Sequence, residues 1–241
     1  MALKIALLGF GKMGKEIAEL ATEGGHEIVA TYEIAQPLSP ANAPKAVDVF
    51  IDFTIPNSVI ANVEAVAQIA RPLVIGTTGW YHQLNEVKKI VSDAKIGVIY
   101  ASNFSIGMNL FFKIVANAAE LFDRFEQYDP FIHEFHHRGK LDSPSGTANS
   151  LANIMLEKIN RKQAILGKTS EGVISQNQLH VTSTRAGYIP GTHIVGFDSE
   201  ADTIELKHTA HGRRGFAAGA LYAAQWIVGR QGLFTMEDLL G

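Results

Sequence analysis

The stretch HEFHHRGKLDSPSGTANSL, residues 133–151, gathers three histidines, an arginine and a lysine within its first eight residues. The imidazoles of His136 and His137 titrate near neutrality, the range a general acid needs. Lys140 adds a compact positive charge. Pro144, Ser145, Gly146 and Thr147 then read as a helix start, with the proline in the first turn. Free amides at such an end, aided by the helix dipole, make a carboxylate site. Acid, ammonium and helix start together suit a small carboxylated substrate that is reduced and protonated. A paired histidine on a strand can equally be structural, and a serine–glycine helix start can be only a cap. His133, His136 and His137 are also possible zinc ligands. No fourth ligand stands at a suitable spacing, and strand alternation sets His133 and His137 opposite His136. No metal is expected.

A reduction needs an electron donor, and the N-terminal residues offer a place for one. KIALLGF, residues 4–10, is a short apolar run ended by glycine, as a buried parallel strand would be. Gly9, Gly11 and Gly14 follow in G-x-G-x-x-G spacing. KEIAELATEGG then reads as an amphipathic helix closed by Gly24 and Gly25, and HEIVATYE as a second strand ending at Glu33. In that setting the first glycine allows a tight turn and the second lets the backbone approach a pyrophosphate. The third permits close helix–strand packing, and the helix N-terminus receives the phosphates. Glu33 stands 33 − 14 = 19 residues beyond the last glycine, where an acid would bind a ribose 2′-hydroxyl. Glu33 repels a 2′-phosphate and Ile34 is no arginine, so NADH is favoured. Lys12, inside the loop, can partly compensate, which leaves NADPH open. The alternative is a tight turn in an unrelated α/β protein.

The alternation continues with strands AVDVFIDFT (46–54), PLVIGTTGW, breaking at Gly76, and KIGVIYASNFS, ending at Asn103. Between them lie the helices NSVIANVEAVAQIA, capped by Asn57 or Ser58, and YHQLNEVKKIVSDA. This order predicts an α/β fold with a Rossmann-like, doubly wound parallel sheet. Ligands in such sheets bind beyond the carboxyl ends of the strands. Those ends carry Phe53 and Thr54; Gly76, Thr77, Thr78 and Gly79; and Ala101, Ser102, Asn103 and Phe104. Their polar and glycine-rich character suits a nicotinamide ring and its carboxamide.

Past Asn103 the rhythm changes. A long helix, IGMNLFFKIVANAAELFDRF, precedes a strand, YDPFIHEFHH, and a helix, PSGTANSLANIMLEKI. Strands around 181–183, 192–197 and 203–206 follow, and GRRGFAAGALYAAQWIVGR closes as a helix. The expected division is a dinucleotide-binding domain at 1–103, to which a C-terminal helix at 216–241 returns. An α+β substrate-binding and oligomerisation domain spans 104–215.

Composition bounds the rest. The 241 residues are 46% hydrophobic and 19% charged, enough for a sizeable core. A net charge of −3 gives no general pull towards nucleic acid or an acidic membrane. With no cysteine, disulfides and thiolate catalysis are excluded. The N-terminus does not read as a signal peptide, and no run approaches the roughly 18–20 apolar residues of a membrane span. A cytoplasmic enzyme acting on a small molecule, without nucleic-acid or membrane partners, is expected.

EFHHRGKLDSPSGTA resembles the signature E-x-H-H-x-x-K-x-D-x-P-S-G-T-A of the bacterial 4-hydroxy-tetrahydrodipicolinate (dihydrodipicolinate) reductase family, with every fixed position present. The resemblance extends through the glycine motif, IGTTGW, ASNFSIGMNL and HTAHGRRGFAAGA. It implies reduction of a cyclic dicarboxylate in lysine and diaminopimelate synthesis, with hydride from NAD(P)H to C4 and loss of water. By that resemblance His136 is the proton donor and Lys140 the second catalytic residue. His137, Ser145, Gly146 and Thr147 bind substrate. Gly9, Lys12, Met13, Glu33, Gly76, Thr78, Ala101, Phe104, Arg213 and Phe216 lie near the cofactor. A homotetramer paired through sheets of the second domain is implied too. The chain departs from the family in two ways: its connections between TYEIAQPLSP and VDVFIDFT are compact, and it has Ile34 where a basic residue is common. Two rival functions are another NAD-dependent amino-acid dehydrogenase and a non-catalytic NADH sensor. The S-G-T-A segment after H-H-x-x-K argues against the first; the second would not need the histidine–lysine cluster.

Overall fold

The computed structural model describes residues 2–241. The chain begins with β1 (Lys4–Leu8), α1 (Lys12–Glu23), β2 (Glu27–Tyr32), β3 (Val49–Asp52), α2 (Val59–Ile69), β4 (Leu73–Ile75), α3 (Leu84–Ala94) and β5 (Gly97–Tyr100). It continues with α4 (Ile106–Phe122), β6 (Asp129–His136), α5 (Gly146–Lys158), β7 (Ala164–Leu166), β8 (Gln178–Arg185), β9 (Thr192–Asp198) and β10 (Thr203–Thr209). It ends with α6 (Arg214–Ile227), β11 (Gly232–Phe234) and α7 (Met236–Leu240). One compact unit runs up to Ile106 and resumes over Arg213–Gly241; the other is Gly107–Gly212.

The first unit holds a parallel sheet in the order β11-β5-β4-β3-β1-β2. The strands read as continuous apolar runs because both faces are covered. Ile5, Leu7, Val49, Ile51, Val74 and Ile99 point to the side of α1 and α6, where Ile17, Ala220, Ala224 and Ile227 meet them. Ala6, Leu8, Phe50, Leu73, Ile75 and Val98 point the other way, onto Val59, Val63 and Val66 of α2 and Val87 and Val91 of α3. The expected doubly wound sheet is therefore present. β1 has β2 on one side and β3 on the other, so the strand order reverses beside it, which is where such sheets bind ligands.

The second unit holds a mixed sheet in the order β10-β9-β6-β8-β7. β6 runs parallel to β8 and antiparallel to β9. α4 and α5 cover one face, where Met108, Phe111, Val115, Leu151, Ala152 and Met155 pack on Ile132, Val181, Val195 and Phe197. Alternation along β6 sends Phe131, His133 and Phe135 to the face away from these helices.

Several element boundaries differ from expectation. β3 is confined to Val49–Asp52, because Asp52 turns its carboxylate onto the loop that follows. Pro144 does not open α5; Ser145 is the N-cap, so the proline precedes the helix. The final segment is not one helix: α6 ends at Ile227, and β11 adds an edge strand to β5. β7 and β11 have three residues each, too few for any periodicity to register.

Candidate active site

In the first unit the glycine turn joins β1 to α1. Gly9 has φ +90°, and a Cβ there would lie 2.3 Å from the Phe53 carbonyl oxygen. A Cβ on Gly14 would lie 2.2 Å from the Gly9 carbonyl oxygen. Both positions need glycine for close backbone approach. A Cβ on Gly11 would meet nothing within 4 Å, so the backbone at the start of α1 is open to an incoming group. Gly11 is the N-cap, and no side chain caps the helix. Lys12 is exposed on the first turn, while Met13 packs against the core. The residues present thus fit a pyrophosphate at a helix N-terminus.

Beyond β2, Glu33 and Ile34 line a cavity of about 170 Å³ together with Leu8, Leu38, Thr54 and Asn62. Ile34 is 74% exposed, and the described residues lining this cavity include no lysine or arginine. The neighbouring strand ends are tied to a buried carboxylate. Asp52 accepts from the Thr54 amide at 2.9 Å, the Thr54 hydroxyl at 2.7 Å, Asn62 Nδ2 at 2.9 Å and Thr77 Oγ1 at 2.8 Å. Burial pushes the Asp52 carboxyl up, and the bonds from Thr54, Asn62 and Thr77 oppose that. Trp80 is buried and donates to the Thr77 carbonyl at 2.7 Å. Gly76 lets the Phe53 ring pass at its backbone; a Cβ would lie 2.1 Å from that ring. Thr78 is exposed, Ala101 and Asn103 are half-buried and Phe104 is buried. Phe104 meets α6 at Gly219, where a Cβ would lie 1.7 Å from the Phe104 carbonyl oxygen. Arg213 is the N-cap of α6, with Phe216 half-buried on its first turn. Every expected cofactor residue belongs to this unit.

The second unit assembles the other cluster. Glu134 is 0% exposed, His136 8% and His193 4%. Register explains their meeting: Glu134 pairs with Ser183 on β8 and with His193 on β9, and His136 pairs with Arg185. Glu134 Oε1 accepts from Arg185 Nη2 at 2.7 Å, Ser183 Oγ at 2.7 Å and the Ser145 amide at 2.9 Å. Its Oε2 lies 3.1 Å from His136 Nδ1 and 3.5 Å from His193 Nε2, without an aligned hydrogen bond to either. Burial alone would raise the Glu134 carboxyl, but the nearby His193 imidazole and the bonds from Ser145, Arg185 and Ser183 hold it well below the usual range. Burial pulls His136 down to about 4; Glu134 pushes back, while His193, Lys140 and Arg185 add to the depression. On its other edge the ring faces Gly191, where a Cβ would lie 3.0 Å from Nε2.

The turn expected to bind a carboxylate is also formed. Ser145 Oγ accepts from the Ala148 amide at 3.1 Å and lies 3.2 Å from His193 Nε2. Asp142 spans the two groups expected to hold a substrate carboxylate. Its Oδ1 is 2.8 Å from Lys140 Nζ, and its Oδ2 accepts from the Gly146 amide at 3.2 Å. Lys140 holds the Asp142 carboxyl below its usual range. His137 is exposed and its carbonyl accepts the Lys140 amide at 3.1 Å, which closes the turn after β6. Thr147 is half-buried on the first turn of α5.

Of the histidines weighed as zinc ligands, His133 lies on the opposite face of β6, beside Thr182. The set that does converge is Glu134, His136 and His193, with ligand-type atoms within 4.8 Å of one another. Arg185 already supplies positive charge to that carboxylate. Glu134 stands two residues before His136, hence on the same strand face, and that alternation is its signal in the sequence. Arg185, His193 and Gly191 had no local signal, because strand pairing brings them in from far along the chain.

A parallel sheet with a glycine turn at its switch point, and a second unit with a buried imidazole–carboxylate network beside a cationic turn, define a dinucleotide-dependent reductase. Models for the N-terminal and C-terminal parts of dihydrodipicolinate reductase match residues 3–104 and 107–240. The 4-hydroxy-tetrahydrodipicolinate reductase of Christiangramia forsetii is 38% identical over 239 residues, 99% of this chain and 98% of its own. That of Methanoregula boonei is 35% identical over 258 residues, with the same coverage. The dipicolinate-bound dihydrodipicolinate reductase from Paenisporosarcina sp. TG-14 superposes with a TM-score of 0.78, at 26% identity over 99% of this chain and all of that one. The chain belongs to the dihydrodipicolinate reductase family.

Proposed function

We propose that the chain reduces 4-hydroxy-tetrahydrodipicolinate to tetrahydrodipicolinate in lysine and diaminopimelate synthesis, with NADH preferred and NADPH accepted. The ring loses its C4 hydroxyl as water and gains hydride at C4; one reduced cofactor and one proton are consumed. The nicotinamide, when bound, supplies the hydride. Gly9, Gly11 and Gly14 shape the pyrophosphate turn, with Lys12 and Met13 on the helix start. Glu33 takes the ribose hydroxyls, and Ile34 offers nothing to a 2′-phosphate. Gly76, Thr77, Thr78, Ala101, Asn103 and Phe104 border the ring, with Arg213 and Phe216 nearby. His136 gives the proton. Lys140, the amides and hydroxyls of Ser145, Gly146 and Thr147, and His137 hold the substrate carboxylates.

The observation that carries this reading is Asp142. A carboxylate of the chain itself bridges Lys140 Nζ and the Gly146 amide, the two groups assigned to a substrate carboxylate. Two anionic groups entering beside His136 would also raise its affinity for a proton, towards the value a donor needs at neutral pH. The reading extends to a cytoplasmic homotetramer that pairs through the sheet face bearing Phe131, His133 and Phe135. No helix among the described residues is long and apolar enough to cross a membrane.

The test is a coupled assay. The substrate is generated in situ from pyruvate and aspartate semialdehyde by its upstream synthase, and oxidation of NADH or NADPH is followed by absorbance. Turnover that collapses in His136→Gln supports reaction and acid together. Tight NADH binding without turnover would replace this reading with a dinucleotide sensor or a different substrate.

A further inference from the structure

The proton donor and the carboxylate-binding turn come from different elements, yet one buried side chain touches both. Glu134 reaches the Ser145 amide with Oε1 and lies against His136 Nδ1 with Oε2. Among the described residues, charged and titratable groups from several packed elements surround His136. Glu134 is on its own strand, Arg185 is on β8 and His193 is on β9. Lys140 lies in the turn after β6, and Ser145 caps α5. Glu134 is the one acid among them. His193 links the same turn to Glu134, with Nε2 3.2 Å from Ser145 Oγ and 3.5 Å from Glu134 Oε2.

We propose that Glu134 is a positioning residue for the reduction: its carboxylate fixes the imidazole of His136 through Nδ1 and, through the Ser145 amide, sets the turn that receives a substrate carboxylate. The inference rests on His136 being the acid. A carboxylate facing Nδ1 keeps that nitrogen protonated and leaves Nε2 as the edge that takes up and delivers the transferable proton. The Oε2–Nδ1 contact is short but unaligned in the free protein, as catalytic hydrogen bonds often are before substrate tightens them. Oε1 already takes three donors, so rotating the carboxyl away from His136 would break the hold on Ser145. Arg185 and Ser183 therefore lock the orientation. Gly191 keeps the Nε2 edge clear, since a side chain there would press on it.

Two measurements test this. The first is the pH dependence of kcat for Glu134→Gln, which keeps an acceptor for Ser145 but removes the charge. Activity of a general acid falls as pH rises through its pKa in the complex, and Glu134 is the group that raises that pKa. The variant should therefore lose activity at a lower pH than the unmutated protein. At pH 8 kcat should be down by about tenfold to a hundredfold, with much of the loss recovered at pH 6, while KM for NADH stays within about twofold. Glu134→Asp, which restores the charge, should bring the alkaline limb back. A pH-independent fall in kcat, or no fall, would overturn the proposal.

The second needs no substitution. The ¹⁵N shifts of the His136 ring in the unmutated free protein should report the tautomer protonated at Nδ1, and the Nε2-protonated form would refute the proposal even if Glu134→Gln failed to fold. If the unmutated protein turns over and only these outcomes fail, the positioning role falls and the reductase reading stands. If it does not turn over, the reductase reading falls first.

Discussion

A single charge placed beside a reacting group is worth more than the same charge in water, and the residues of this protein are arranged accordingly. Lys140 is the test at the substrate side. Its ammonium holds Asp142 at 2.8 Å and is assigned to a substrate carboxylate. Lys140→Ala should lower kcat by roughly 10²–10⁴-fold, the range for a positioned proton-transfer partner, and steady-state rates at saturating NADH would measure it. Near-normal turnover would remove Lys140 from the chemistry. Glu33 is the test at the cofactor side. Nothing cationic accompanies it at Ile34, so Glu33→Ala should weaken NADH more than NADPH; titrations that show equal loss would rule out discrimination by this carboxylate. Residues 136–147 stand out in the sequence because the reactive types are few and adjacent. Glu134 was legible in part, through strand alternation with His136. Arg185 and His193 were not, because nothing within their own segments distinguishes them from ordinary strand residues.

Elements place these groups, and their ends do most of the placing. Ser145 caps α5 and its amide is held by Glu134. Ser145→Ala should destabilise the second unit by about 1 kcal/mol, as lost N-caps do, and raise KM for the substrate. Urea unfolding with unchanged KM would limit the residue to a cap. The close contact of α6 on the segment that follows β5 makes a sharper demand. A Cβ at Gly219 would lie 1.7 Å from the Phe104 carbonyl oxygen, and backbone cannot yield as a side-chain tip can. Gly219→Ala should lower stability by roughly 1–3 kcal/mol or more and weaken NADH binding with it. A thermal midpoint equal to that of the unmutated protein would show that the helix shifts freely. Alternation of apolar strands with amphipathic helices made β1 to β5 readable. β7 and β11 exist only because a neighbouring strand offers three residues a partner.

At the scale of the molecule, buried titratable groups tie stability to pH. His136 is held down to about 4, against about 6.5 in an unfolded chain. It is neutral when folded and takes a proton readily when unfolded, so its contribution is complete above about pH 6.5 and is lost as pH falls towards 4. Burial lowers His133 and His208 in the same sense. Glu134, held below the usual carboxylate range, continues the loss at lower pH. Thermal midpoints should fall between pH 7 and 5, and fall less in His136→Gln; equal slopes for the two proteins would show that His136 is not depressed. Assembly belongs to this scale as well. His133→Glu would place a charge on the sheet face proposed to pair, and sedimentation should then report a smaller species. An unchanged mass would move the interface elsewhere.

The sequence by itself determined the doubly wound sheet, the glycine turn and the residues that can bind anions and give a proton. These follow from local rules: alternation, periodicity, turn chemistry and the spacing of a few reactive side chains. Only the tertiary structure decided that His136, Ser183, Arg185, His193 and Ser145 converge on Glu134, that Asp142 bridges Lys140 and Gly146, and that β11 and α6 complete the first unit. Strand register carries that information, and register is set by which strands pair across long stretches of chain, a choice made by the packing of the whole core.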